Sequence, residues 1–243
     1  MDHNIKALAL YIKNAKKIAV LTGAGISTES GIPDFRSQSG VWTKDLSREE
    51  IISRPYFDSN PEYFWKVFKE IFQIKLMGNY KPNYGHIFLT ELEKMGKDVT
   101  IVTQNVDGLH KDAGSNKVIE VHGTIKKASC LRCGTEYGMD HITAKEVPYC
   151  ECGEVLKPNV VLFGDLVSEY GNAIDAVCES DFFMVLGSSL KVYPIANLPA
   201  HLHNDSQITK AIINKDATSQ DRYFNVVIHH SIGDALKSVR KFL

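Results

Sequence analysis

Four short segments hold residue types whose spacing could do chemistry. The first is Thr22-Gly23-Ala24-Gly25-Ile26-Ser27, directly after the apolar run Ile18-Ala19-Val20-Leu21. A strand that ends in such a turn and opens a helix presents backbone N–H groups to a pyrophosphate. Gly23 and Gly25 match the first two glycines of a dinucleotide fingerprint, but Thr28 stands where the third would be. Taken alone, the turn therefore also reads as one that merely packs a helix on a sheet. Its continuation, Gly31-Ile32-Pro33-Asp34-Phe35-Arg36, sets a ring and a fixed cation close behind it. An arginine pairs with phosphate, and a ring can cover a reactive sugar carbon from water.

The second segment is Gln104-Asn105-Val106-Asp107, at the end of the strand-like run Val99–Thr103. Amides there can hold sugar hydroxyls, and a carboxylate can accept from the nitrogen of a carboxamide. The competing reading is loop chemistry, with Asn105 and Asp107 capping the following helix. The third is His122, after Val118–Val121 and before Gly123, which lets backbone or substrate approach closely. An imidazole serves as a base near neutral pH without a large pKa shift. His122 and Asn105 end strands that are neighbours in sequence. His229 and His230 have no comparable company and are read as structural.

The fourth segment is Cys130-x2-Cys133, sixteen further residues, then Cys150-x-Cys152. Two close thiolate pairs at this separation suit a tetrahedral four-thiolate zinc site in a short ribbon. Gly134 and Gly153 follow the pairs and can free backbone N–H groups to turn toward the sulfurs. No histidine or acidic ligand invites an open position, so the expected metal is one structural zinc. The fifth cysteine, Cys178, reads as packing.

The elements that must position these groups alternate. Ile18–Leu21, Val99–Val102, Val118–Val121, Phe182–Leu186, Ala211–Ile213 and Val226–Ile228 read as strands buried on both faces, with helix-like segments between them. That order predicts an α/β fold with a doubly wound, mostly parallel sheet, whose ligands bind outside the carboxyl ends of the strands. Two stretches break the rhythm. In 37–82, Ser47–Ile52 and Pro61–Leu76 look helical, with Phe64, Val67, Phe68, Ile71, Phe72 and Leu76 as a core-facing stripe. The other is the cysteine stretch 126–157. Both are read as insertions forming a small domain, helical module plus zinc ribbon, beside a main domain of 1–36, 83–125 and 158–243.

Apolar residues at 44% and charged residues at 23% are those of an ordinary globular protein. A net charge of -1 gives no bulk attraction to nucleic acid or to an anionic membrane. No run approaches the roughly 18 apolar residues of a membrane span, and Met1–Leu10 lacks the layout of a secretory signal. Clustered thiols point to a reducing compartment, with the cytoplasm as default. Neither a nucleic-acid nor a membrane partner is expected.

The four segments in this order resemble the sirtuin family, the NAD-dependent protein deacylases. The resemblance continues through Pro158-Asn159-Val160-Val161-Leu162-Phe163-Gly164, Leu186-Gly187-Ser188-Ser189-Leu190, Val192-Tyr193-Pro194 and Ile213-Asn214. It implies a Rossmann-like NAD-binding domain. Ala24, Thr28 and Arg36 would lie along the NAD pyrophosphate and its ribose, with Phe35 over the nicotinamide ribose. Gln104 would hold ribose hydroxyls, Asn105 a water and the ribose, and Val106 with Asp107 the carboxamide. Ser188 and Ser189 would serve phosphate and ribose, Asn214 the adenosine ribose, and Ile232 would neighbour the adenine. Gly23, Gly25, Asp34, Gly187 and His122 complete the implied cofactor-binding set. Val161, Phe163, Gly164, Val192 and Tyr193 would flank a substrate peptide lying as an added strand.

The implied catalytic pair is His122 and Asn105. The acyl-lysine oxygen would attack C1′ of the nicotinamide ribose as nicotinamide leaves. His122 as neutral base would remove a ribose proton so that the 2′-oxygen can attack the imidate carbon, and water would complete the release of lysine and 2′-O-acyl-ADP-ribose. Three details depart from common family text: the C-x-C second pair, Asp165 where a longer Glu is frequent, and the acyl pocket. Relatives that remove acidic acyl groups carry a Tyr and an Arg on the Pro61–Leu76 helix, where this chain has Phe68 and Ile71. A buried carboxylate would be unpaired there, so neutral acyl groups are expected. The competing activity is protein mono-ADP-ribosyl transfer from the same site. A non-catalytic reader of acylated tails would not need His122 and Asn105 together, and the missing third glycine disfavours a hydride-transferring dehydrogenase.

Overall fold

The computed structural model describes residues 2–34, 47–77, 80–202 and 208–243, apart from the side chains of 47 and 73–77. Helix α1 (Asp2–Asn14) buries Ile5, Leu8, Ala9 and Ile12, which recur at helical spacing. Strand β1 (Lys17–Thr22) follows and runs into a 3-10 helix, Ala24–Ser30, stopped by Gly31 at φ +87°. Three helices come next: α2 (Ser47–Ile51), α3 (Arg54–Ser59) and α4 (Pro61–Met77). Helix α3 is absent from the sequence reading, yet Ser53 accepts a hydrogen bond from the Tyr56 N–H and Pro55 sits in its first turn. Those are helix-start signals packed into what otherwise resembles a linker.

Helix α5 (Tyr84–Lys94), capped by Asn83, leads to β2 (Asp98–Thr103), the short α6 (Leu109–Asp112) and β3 (Lys117–Glu120). The cysteine stretch then supplies β4 (Gly123–Ser129), β5 (Glu136–Gly138) and α7 (Met139–Ala144), and β6 (Lys157–Val160) follows it. The chain closes with α8 (Tyr170–Cys178), β7 (Phe182–Leu186), a 3-10 helix at Ile195–Leu202, β8 (Thr209–Ile213), β9 (Val226–Ile228) and α9 (Ile232–Arg240).

Six strands form one parallel sheet in the order β3-β2-β1-β7-β8-β9. They are the six expected from sequence. Alternate residues of β1 serve opposite faces, as a strand's period of two demands. Ile18 and Val20 join α1, α5 and α9, while Ala19 and Leu21 join α8 and the 195–202 helix. One expectation fails at the sheet's edges: β3 is not buried on both faces, nor is β9 at Val227. Val118, Ile119 and Glu120 are only half-buried, because β3 lies at the sheet's edge with β2 as its sole neighbour.

A second, antiparallel sheet has the order β5-β4-β6. It shares an apolar core with Ile52, α3 and α4: Phe57, Phe64, Trp65, Phe68 and Phe72 meet Ile125, Leu156 and the cysteines Cys130 and Cys150. Phe64, Phe68, Ile71 and Phe72 of the α4 stripe are therefore core, with Val67 half-buried against them, while the Leu76 side chain lies outside the described residues. Trp65 also donates its indole N–H to the Leu156 carbonyl at 2.6 Å, and Lys69 donates to the carbonyls of Ile142 and Lys145.

Candidate active site

The strand order reverses between β1 and β7, and ligands of open α/β sheets bind at such a switch point, beyond the strands' carboxyl ends. Here the loop after β1 and the loop after β7 touch. Gly23 N–H donates to the Leu186 carbonyl at 3.1 Å, and Gly25 N–H to the Gly187 carbonyl at 2.9 Å. A Cβ on Gly187, at φ +66°, would stand 2.4 Å from the Ile26 nitrogen, and one on Gly25 would stand 2.8 Å from the Gly187 Cα. These glycines are thus required by backbone-to-backbone packing. The same packing fixes the turn at the floor of a cleft of about 360 Å³.

That cleft gathers residues from five strand ends. Gly23, Ala24, Gly25 and Asp34 line it from β1; Gln104, Asn105 and Val106 from β2; and His122 from beyond β3. Gly187, Ser188 and Ser189 line it from β7, and Asn214 from β8. The five expected peptide-edge residues, Val161, Phe163, Gly164, Val192 and Tyr193, line it too. Thr28, Asp107 and Ile232 do not. Thr28 Oγ donates to the Gly25 carbonyl, and Ile232 is buried in the core under α9. Phe35 and Arg36 lie outside the described residues.

Hydrogen bonds fix the polar groups from behind. Asn105 Nδ2 donates to the Gly23 carbonyl and to Ser27 Oγ, both at 3.1 Å. Ser27 Oγ in turn donates to Asp107 Oδ2 at 2.8 Å, and Asp107 Oδ1 accepts from the Leu109 N–H at the start of α6. The capping role weighed for Asp107 is therefore real. Gln104 Oε1 accepts from Ser188 Oγ at 2.9 Å, while its buried Nε2 has no partner among the described residues. A buried donor left this way suits a ligand oxygen such as a ribose hydroxyl.

His122 Nδ1 lies 3.1 Å from the Gln104 carbonyl. A carbonyl only accepts, so in the neutral ring Nδ1 carries the proton and Nε2 is the basic nitrogen. The β2 loop thereby chooses the tautomer of the residue beyond β3. Beneath it lies a polar layer absent from the sequence reading. His110 Nε2 sits 2.9 Å from Thr22 Oγ, and Thr22 Oγ donates to Thr103 Oγ at 2.8 Å. Thr103 Oγ accepts the Asn105 N–H. The His86 ring packs against His110 in a tilted arrangement, ring centroids 4.8 Å apart. Burial pushes both imidazoles down, His86 to about 4 and His110 well below its ordinary value.

The chain belongs to the Sir2 family. The Sir2 family model matches residues 23–194. Over 239 residues the chain is 49% identical to NAD-dependent protein deacetylase 2 of Geobacillus kaustophilus, covering 98% of this chain and 97% of that one. It is 48% identical over 236 residues to the NAD-dependent protein deacetylase of Bacillus subtilis, covering 94% and 96%. A Sir2 structure with deacetylated p53 peptide and 3′-O-acetyl-ADP-ribose superposes with a TM-score of 0.90 at 34% identity, covering 98% of this chain and 97% of that one. One with p53 peptide and NAD+ gives 0.85 at 33%, with the same coverage.

The Sir2 cleft here is also lined by Ile52, Lys191, Asp216 and Ala217, which no motif singled out, and by Val160 and Leu162, which the motifs contain but gave no role. Leu190, between Ser189 and Lys191, holds φ at +53°, the strained left-handed region. Asp165, the departure from the longer Glu, lies on the cleft wall and is fully engaged. It accepts from the Leu162 N–H at 3.0 Å and pairs with Lys157 at 3.0 Å and Arg54 at 3.5 Å. Burial pushes its carboxyl up, but those three partners together hold it below the usual range. Phe68 and Ile71 are packed in the core; among the described residues the α4 side chain that reaches the cleft is Phe72.

The four cysteine sulfurs lie within 4.8 Å of one another, with Cys130···Cys152 at 3.5 Å and Cys133···Cys150 at 3.4 Å. Tetrahedral zinc with bonds of about 2.3 Å sets its sulfurs ~3.8 Å apart, so the set fits. The two glycines turn the backbone as expected. Gly134 and Gly153 adopt φ of +76° and +88°, and their own N–H groups close turns on the Cys130 and Cys150 carbonyls. The sulfurs are met by other backbone N–H groups: Cys133 N–H faces Cys130 Sγ at 3.4 Å, and the N–H groups of Thr135 and Glu154, each just after a glycine, face the Cys133 and Cys152 sulfurs, with Cys152 N–H on Cys150.

Proposed function

We propose that this sirtuin is an NAD-dependent protein lysine deacetylase that removes acetyl and other neutral acyl groups and yields nicotinamide and 2′-O-acyl-ADP-ribose. The observation that carries the reading is His122 on the wall of the switch-point cleft, its tautomer set by the Gln104 carbonyl. NAD when bound supplies a C1′ electrophile whose leaving group is nicotinamide. Ala24, Gly25, Ser188 and Ser189 would hold its phosphates and riboses, and Gln104 Nε2 would donate to a ribose oxygen. His122 Nε2 would take the proton of a ribose hydroxyl. Asn105, held by Gly23 and Ser27, would orient the sugar.

The acyl-lysine peptide would lie between Phe163-Gly164 and Val192-Tyr193. Ile52, Phe72, Val106 and Leu162 give the cleft an apolar end, which supports neutral acyl groups, since a carboxylate there would be desolvated without a partner. Cys130, Cys133, Cys150 and Cys152 would hold one structural zinc. The thiolate set supports a reducing compartment, the cytoplasm, and among the described residues no helix is long and apolar enough to cross a membrane. The Rossmann-like domain of this reading comprises 1–36, 83–125 and 158–243, with 37–82 and 126–157 as the small domain.

The test is mass spectrometry of NAD incubated with an acetyl-lysine peptide. Equal amounts of free lysine peptide, nicotinamide and O-acetyl-ADP-ribose are expected, with the rate falling roughly 10²–10⁴-fold in His122→Ala. Nicotinamide release without deacetylation would overturn the reading in favour of ADP-ribosyl transfer.

A further inference from the structure

His229, which the sequence places in no evident company, spans two segments behind the cleft. Asn214, Asp216 and Ala217 line the cleft just after β8. The Asn214 N–H donates to the Ile228 carbonyl, and Asn214 Nδ2 to the Asp216 carbonyl at 2.7 Å. The segment then turns back, and Asp221 closes it: Asp221 Oδ1 accepts from Thr218 N–H at 3.1 Å and Thr218 Oγ at 2.6 Å. Gln220 Nε2 ties the same turn to the Ala196 carbonyl at 2.9 Å, beyond the Ser188–Val192 wall.

His229 joins the two ends of this loop. Its Nδ1 donates to the Asn214 carbonyl at 3.2 Å, and its Nε2 lies 3.1 Å from Asp221 Oδ2. Carbonyl and carboxylate both only accept, so the ring meets both with N–H groups when both nitrogens carry a proton. The His229 side chain is 40% exposed, where an ion pair adds little to global stability. The consequence of the bridge is local, on a loop that walls the cleft.

We propose that His229 and Asp221 are positioning residues for the dinucleotide: together they hold the Asn214–Asp221 loop against the adenosine half of NAD. This rests on the nucleotide reading above. Calorimetric titration with NAD and with ADP-ribose tests it without any chemistry. His229→Ala should weaken both about fivefold, the factor carried by a hydrogen bond of ordinary net worth. His229→Asn sets an amide where Nδ1 was and His229→Gln sets one where Nε2 was, so each should recover about half the loss on a logarithmic scale. At saturating NAD, kcat and the KM for acetyl-peptide should match wild type. Unchanged affinity in His229→Ala, or a loss appearing in kcat or peptide KM instead, overturns the proposal. Wild type failing to bind NAD overturns the nucleotide reading itself, a different result from wild-type binding that His229→Ala leaves intact.

Discussion

Taking the protein from pH 8 to pH 5 should cost its fold about 2 kcal/mol through His86 alone. His86 is fully buried at the first turn of α5, where its Nδ1 accepts the Asn83 N–H. Burial lowers its pKa from 6.5 to about 4, against the pull of Asp107. Above pH 6.5 the ring is neutral whether the chain is folded or not, and it contributes no pH dependence. Below 6.5 the unfolded chain takes up a proton that the folded chain refuses until about pH 4. Stability therefore falls as pH falls through that window and levels off beneath it. With those two values the difference between pH 8 and pH 5 is RT ln(32.6/1.1), about 2 kcal/mol, and the full loss below pH 4 is about 3.4 kcal/mol.

The assay is urea unfolding at pH 8 and pH 5 for wild type and His86→Asn. Asparagine offers an oxygen near the place of Nδ1, so the helix start keeps its acceptor while the titrating group is gone. The variant will be less stable at pH 8, since the smaller side chain leaves space. What matters is the difference of differences. Contributions from groups remote from His86 enter both proteins alike. The His86 ring also lowers the His110 pKa, so its removal flattens the variant further. A variant that loses as much stability as wild type between pH 8 and pH 5 would refute the argument that burial holds His86 neutral.

Three further outcomes follow from the geometry. Gly187→Ala should displace the glycine turn, because its Cβ would meet the Ile26 nitrogen at 2.4 Å; a penalty of about 1–3 kcal/mol should appear as weaker NAD binding by calorimetry. Trp65→Phe keeps most of the apolar contact but abandons the buried Leu156 carbonyl, costing about 1–3 kcal/mol in urea unfolding. Stripping metal with a chelator should release close to one zinc per chain and, in a Trp42→Phe background, shift Trp65 emission to the red, since Cys130 and Cys150 share its core; an unshifted spectrum would separate the cysteine set from that core.

Legibility from sequence followed the range of the interaction. The six strands were readable because burial on both faces writes a continuous β-branched run, and the edge strands misled, β3 throughout and β9 at Val227, since edge position is a property of the sheet and not of the strand. The glycine turn was readable as a turn. Its reason was not, because Gly23 and Gly25 answer to Gly187, which lies far off in sequence. Helix α3 hid because its start signal, Ser53 with Pro55, sits in the short span between α2 and the much longer α4.

The site divides the same way. His122, Asn105 and Gln104 could be picked out because strand-end addresses and side-chain chemistry are local facts. What orients them is not local. The His122 tautomer depends on a carbonyl eighteen positions earlier, and Asn105 on Gly23 and Ser27. His110 belongs to a helix that the motifs treat as a flank, yet through Thr22 and Thr103 it underlies the Asn105 backbone, with His86 packed against its ring. His229 was set aside for want of neighbours, and its partners Asn214 and Asp221 are brought to it only when β8 and β9 pair. A motif names the groups that could meet a substrate; the second layer that makes their geometry reproducible is assembled by the parallel sheet, and becomes visible only in the fold.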